Sequence, residues 1–525
     1  RIRYCLEKAL YLAKSGRPGP CWLDIPLNVQ GAFVETEDLE GFDPEDYENG
    51  GTGWGTMGNI HAIPEDEAGK GEKRQLLPGK VSRETADLIL SKIRAAKRPV
   101  INAGNGIRIA GAHDVFMRVA EKLGIPVITG WDSEDCIWDE HPLYTGRAGN
   151  MGDRAGNFAI QNSDLVLSVG SRLSIRQVGY NYKTWARAAF VIANDIDSEE
   201  LKKPSVHADL AVHADAKDLL EQLDGALDEI LEKEGNQLAE SLSKKGEKQL
   251  FGGGEGLPGM SWSETCRMWK ETYPVVQEKH WNFTDQEPAN VYAAIQAISS
   301  RLKEDQITVV GNGSACVVGG HAYVIKKGQR FITNSAVAAM GYDLPAAIGA
   351  WTASRDSRCY SQGRDRSGED LILVTGDGSI QMNLQELQTI IHHKMGIKIF
   401  LINNGGYHSI RQTQKNFFGE PLIGIGVDSG DLSFPDMEKL ACAYGYPYIK
   451  AEHNSELAKA VEQTLAAEGP VICEIFVSMD QNFEPKSSAK RLPDGTLVSP
   501  PLEDLAPFLP EEEMDRNMII PRIRE

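Results

Sequence analysis

Leu371-Ile-Leu-Val-Thr-Gly-Asp-Gly-Ser379 opens as an unbroken apolar run and closes in a Gly-Asp-Gly-Ser turn. Leu384, Leu387, Ile390 and Ile391 follow at helical spacing. A second apolar run, Lys398-Ile-Phe-Leu-Ile402, then ends in Asn403-Asn404-Gly405-Gly406. Short apolar runs flanking an amphipathic stretch predict one β-α-β unit with parallel strands. Both strand-end turns then lie at the carboxyl edge of one sheet, where open α/β sheets bind ligands. Asn404 follows Asp377 by 27 residues, room for a helix and a strand between the two turns. Gly-Asp-Gly alone reads most simply as a β-turn. Turn, helix, strand and Asn-Asn together predict a site.

A carboxylate and an amide oxygen at one sheet edge suit Mg2+. This hard ion takes about six oxygens and usually completes its shell with phosphate oxygens and water. Asp377 and Asn404 would each give a side-chain oxygen and a nearby carbonyl a third, leaving the rest to a diphosphate and water. Gly378 lets the backbone approach a phosphate, Ser379 offers a hydroxyl, and the start of the helix offers free N–H groups.

Outward from this unit the chain reads as α/β, with doubly wound parallel sheets. Residues 285–480 form one α/β domain, with further strands expected at Ile307–Val310, Phe331–Thr333 and Val471–Val477. Residues 81–225 form another. There, strands at Pro99–Ala103, Ile125–Thr129, Asp164–Val169 and Phe190–Asn194 alternate with helices at Ala86–Ala96 and Val115–Leu123. Residues 1–34 predict a helix, a Gly/Pro turn and a short strand at Cys21–Ile25. Residues 35–80 are acidic and Gly-rich without an apolar period, a linker. Residues 226–284 read as a connection, 353–370 as an exposed loop, and the Pro-rich 481–525 as a tail laid across the surface. Residue 1 is Arg and the chain opens inside a helical pattern, which predicts a truncated N-terminus.

The formal net charge of −20, from 75 acidic and 55 basic residues, repels nucleic acid and anionic membranes, so neither is expected as a partner. No apolar run is long enough to span a bilayer. Eight cysteines stand singly, none in a Cys-x-x-Cys pair, which predicts reduced thiols in a cytoplasmic protein rather than zinc or disulfides.

Gly376-Asp-Gly-Ser379 through Asn403-Asn404 resembles the thiamine diphosphate signature of the acetolactate synthase-like family. Ser15-Gly-Arg-Pro-Gly-Pro20 with Leu23-Asp-Ile-Pro26 looks like the end of that family's pyrimidine-binding domain, making 1–34 its remnant. Met340-Gly-Tyr-Asp-Leu-Pro-Ala-Ala-Ile-Gly349 looks like the segment bearing the hydrophobic wedge under the cofactor. The resemblance makes 81–225 the Rossmann-like central domain and 285–480 the diphosphate- and magnesium-binding domain. It implies thiamine diphosphate and Mg2+ as cofactors, the ion held by Asp377, Asn404 and the Gly406 carbonyl. Gly376, Gly378 and Ser379 would touch the diphosphate. Gly313-Ser314-Ala315 would be a second diphosphate loop, although the family usually has Gly-Gln-His there. Met340 would be the wedge, its other reading being an ordinary core methionine. His408 reads as substrate-facing or as packing, and Arg411 as a partner for a substrate carboxylate.

The resemblance also implies FAD, in a structural role, in the central domain. Gly170-Ser-Arg-Leu-Ser-Ile-Arg-Gln177 departs from the family run at that place, so a domain without nucleotide stays open. The implied activity is a carboligase that decarboxylates pyruvate or another 2-oxo acid and passes the acyl unit to a second carbonyl, in a homodimer or homotetramer. A simple 2-oxo acid decarboxylase and a sugar-linked carboligase are the rivals. The family's activating glutamate is expected upstream of residue 1. The isolated chain is therefore expected to bind cofactor weakly and turn nothing over, and a silent binding module remains a further reading.

Overall fold

The computed structural model describes residues 1–51, 77–241, 251–356, 369–491 and 496–523. Two six-stranded parallel sheets dominate them. The first comprises β1 (Pro99–Ala103), β2 (Val127–Thr129), β3 (Tyr144–Arg147), β4 (Leu165–Val169), β5 (Phe190–Asp195) and β6 (Leu210–His213), in the order β3-β2-β1-β4-β5-β6. The second comprises β7 (Ile307–Val310), β8 (Arg330–Thr333), β9 (Leu371–Gly376), β10 (Ile397–Asn403), β11 (Tyr448–Ala451) and β12 (Val471–Phe476), in the order β11-β12-β10-β9-β7-β8. The expected doubly wound α/β class is what forms.

Its cause is visible in the strands. Every residue of β1 and β4 is buried, as is every residue of β9 and β10 but the last, so both faces need helical cover. In the first sheet Ile101 and Ala103 face the helices Arg83–Ala95, His113–Leu123 and the opening turns of Ala216–Ser241. Val100 and Val166 face the other way, onto Phe158, Trp262 and Trp269. Alternate residues thus serve two cores. The order of strands reverses between β1 and β4 and again between β7 and β9. Each reversal opens a crevice at the carboxyl ends of the strands.

Several expectations change. Cys21–Ile25 is not a strand, having no neighbour to pair with, and Trp22 stands in solvent. Of 35–80, the described part is ordered: a short helix Pro44–Glu48 follows Phe42, whose ring packs on Tyr4 and Tyr11 of the helix Ile2–Lys14. Residues 52–76 lie outside the described residues, as do 357–368 of the anticipated loop. Residues 226–284 are no mere connection. Ala226 and Leu227 complete the first core, and the helix Trp262–Thr272 inserts two tryptophans into the other. Nor is 481–525 a surface tail. Leu502, Leu505 and Met514 are buried, and Asn517 accepts from the Trp269 indole N–H at 2.8 Å. Among the described residues no helix is long and apolar enough to cross a membrane.

Candidate active site

The carboxyl ends of β7, β9 and β10 lie side by side, with Val310 opposite Val374 and Ile402 opposite Gly376. Their three following turns therefore meet at the second sheet's reversal. They wall a cavity of about 240 Å³ with Asn312, Gly313, Ser314, Met340, Asp377, Gly378, Ser379 and Asn404 among its lining. The helix after the Gly-Asp-Gly-Ser turn is broken into Asp377–Ile380, a 3-10 turn Gln381–Asn383 and Glu386–His392. Leu387 and Ile390 are still buried beneath it.

Asp377 and Asn404 both line this cavity. Asp377 is buried, its Oδ2 accepting from the Gly406 N–H at 2.8 Å and its Oδ1 from the Gly378 N–H at 2.9 Å. Burial raises its carboxyl to about 7, against the pull of those two amides and of Arg411. Asn404 donates through Nδ2 to Ser314 Oγ at 2.8 Å. Its Oδ1 is buried and has no hydrogen-bond partner. A buried acceptor left alone is disfavoured by roughly 1–3 kcal/mol. Beside a carboxylate and a backbone carbonyl, an orphaned amide oxygen is the donor set of a hard divalent ion. Gly406 has φ +143°, and a Cβ there would lie 2.1 Å from the Ile425 carbonyl oxygen, because the chain returns as a bridge from Gly406 to Gly426.

The wall opposite is pinned to the same turn. Ser379 Oγ accepts from the Gly341 N–H at 3.0 Å, and Asn383 Nδ2 donates to the Gly341 carbonyl at 2.6 Å. Met340 is thereby held at the cavity, 38% exposed.

Two family models match the chain. The thiamine pyrophosphate enzyme central domain covers residues 86–223, and the C-terminal TPP binding domain covers residues 311–475. The chain belongs to the thiamine pyrophosphate enzymes.

Among curated proteins, this thiamine pyrophosphate enzyme is 27% identical to a probable acetolactate synthase large subunit of Methanococcus aeolicus, over 95% of this chain and 73% of that protein. It is 28% identical to the acetolactate synthase large subunit of Lactococcus lactis, over 91% and 70%. It is 25% identical to the acetolactate synthase isozyme 1 large subunit of Escherichia coli, over 91% and 71%.

In this thiamine pyrophosphate enzyme Gly313, Ser314, Met340, Gly376, Asp377, Gly378, Ser379, Asn404, Gly406 and His408 all line the one cavity. Ala315 does not. Its side chain is fully buried with Val310 and Val318, so the second loop presents only Gly313 and Ser314. Arg411 does not face substrate either. It is fully buried, pairs with Asp428 at 2.8 and 2.9 Å, and donates to the Asn404 and Gly405 carbonyls at 3.1 Å. His408 reaches the wall, but its Nε2 lies 2.7 Å from the Gln481 carbonyl, and burial lowers its pKa. Gly378 has a reason beyond phosphate approach: a Cβ there would sit 2.5 Å from the Tyr407 ring. Tyr407 and the Ser314–Asn404 bond escaped the sequence reading. The first lacks any motif, and the second joins residues 90 apart.

Proposed function

We propose that this chain is a thiamine diphosphate- and Mg2+-dependent carboligase of the acetolactate synthase type. It decarboxylates pyruvate or a related 2-oxo acid and transfers the acyl unit to a second carbonyl. The observation that carries this reading is the orphaned Oδ1 of Asn404, a residue that lines the same cavity as Asp377. Asp377, Asn404 and the Gly406 carbonyl would hold the ion, while Gly376, Gly378, Ser379, Gly313 and Ser314 would cradle the diphosphate. Met340 would prop the cofactor from beneath. The thiazolium ring supplies the electron sink that a 2-oxo acid needs to lose carbon dioxide. The chain's own part is to fix that ring, through the ion and the Met340 loop, and to keep water from it with apolar walls.

Val337, Ile410, Phe417 and Phe418 stand exposed, Phe418 at 80%. Exposed large apolar groups of that kind suit a protein interface, which supports a homodimer or homotetramer; a cytoplasmic location is part of the same proposal. A second reading has its own support. With Ala315 in the core and Ser314 turned to Asn404, one wall differs from the family pattern. A different acceptor, such as a sugar-linked carbonyl, or plain decarboxylation would accommodate that. Product analysis with pyruvate on the full-length protein decides. Acetolactate is the expected product; acetaldehyde alone would transfer the assignment to a decarboxylase, and no consumption of pyruvate would remove this donor.

A further inference from the structure

We infer that the central domain of this enzyme holds no dinucleotide, because its own groups fill the crevice where the family resemblance implies FAD. The inference stands apart from the reaction proposed above. A dinucleotide crossing a sheet of this order lies at the reversal between β1 and β4, its pyrophosphate on free N–H groups of the first turn. Here those donors are spent. The Gly104 N–H donates to the Val169 carbonyl and the Gly106 N–H to the Gly170 carbonyl, each at 2.9 Å. The two turns touch backbone to backbone. A Cβ on Gly104 would lie 2.2 Å from Ser171 Cα, and one on Gly106 would lie 2.7 Å from Gly170 Cα.

Side chains occupy the flanks. Gln177 lies against Gly130, where a Cβ would meet its Oε1 at 2.2 Å, and its Nε2 donates to Asn102 Oδ1 at 3.0 Å. Asn102 donates in turn to Ser168 Oγ and Ser171 Oγ, both at 3.1 Å. The Arg176 guanidinium stacks over Trp131 at 5.2 Å. Past β5, Glu200 is held by Arg172 at 2.6 Å and Lys203 at 3.0 Å, and Asp197 pairs with Arg17. Between β4 and β5, a hollow beside Ser168 and Asn194 measures about 20 Å³. That suits roughly one water, against the ~300–1,000 Å³ of ordinary ligand sites. Leu502 closes the far side over Gly179. Asn102, Gln177, Ser168 and Ser171 thus bond to one another across the crevice, while Asn194 Oδ1 and Trp131 Nε1 beside them are buried without a partner.

The test is flavin content and flavin binding of the purified protein, with cooperative thermal unfolding confirming a folded sample. The expected result is no flavin released on acid denaturation and no saturable quenching of added FAD fluorescence. Release of about one flavin per chain, or saturable quenching, would overturn the inference.

Discussion

Asn404 shows how one hydrogen bond can aim the amide of a proposed metal ligand. Its amide is a two-sided group, donor on one side and acceptor on the other. Ser314 takes the donor side at 2.8 Å, which leaves Oδ1 on the other side of the amide, buried and without a partner. A group that orients a ligand without touching the ion typically contributes ~10–100-fold in metal affinity. Ser314→Ala is therefore expected to weaken Mg2+-supported cofactor binding about 10-fold or more, with Ser314→Thr restoring most of it. Calorimetric titration of Mg2+ at fixed thiamine diphosphate reads the difference, and equal affinities for wild type and Ser314→Ala would refute the role. Asp377 and Asn404 were legible as a pair because strand-end turns of one β-α-β unit must share an edge. Ser314 was not, because its partner comes from a strand two places away in the sheet.

At the scale of elements, the loop 404–406, the proposed ion-holding turn, owes its shape to the helix His408–Phe417. Arg411 reaches back from that helix to the Asn404 and Gly405 carbonyls while Asp428 neutralises it. Removing one partner of a buried ion pair destabilises by about 3–5 kcal/mol. Asp428 keeps some solvent contact, so Arg411→Met should fall near the lower end, about 3 kcal/mol by denaturant unfolding. Cofactor binding should be lost with it. A variant as stable as wild type would show the clamp to be idle. The sequence made β9 and β10 plain, since runs buried on both faces are continuously apolar. It left β3, β6 and β11 unread. Each is a short edge strand of mixed composition, such as Tyr144-Thr-Gly-Arg147. The direction of Arg411 was equally hidden, being decided by an aspartate 17 residues on, across the Gly406–Gly426 bridge.

At the scale of the molecule, both parallel sheets were readable, but the burial of the C-terminal segment was not. Leu502, Leu505 and Met514 lie among prolines and acids without a period, yet they are buried. Leu505→Ala should cost about 2–5 kcal/mol of stability, measured by urea unfolding. A change within ±0.5 kcal/mol would return 481–525 to the status of a surface strap. The seam between the domains carries a pH signature. Arg147 of β3 donates to the His321 and Tyr323 carbonyls at 2.8 Å, and His321 is buried with Nε2 unpartnered. Burial lowers His321 from 6.5 to about 4. A depressed histidine binds its proton more weakly folded than unfolded. Its stabilising contribution is full above pH 6.5 and is lost as pH falls toward 4. His321→Leu should flatten the fall of melting temperature over that interval, and an unchanged slope would assign acid lability elsewhere. The most direct measurement of the central claim is calorimetric titration of thiamine diphosphate, with Mg2+ and with chelator, into wild type and Asp377→Ala. One saturable site per chain is expected in wild type with Mg2+ alone. Binding that survives both the chelator and the substitution would contradict a cation held between the ends of β9 and β10.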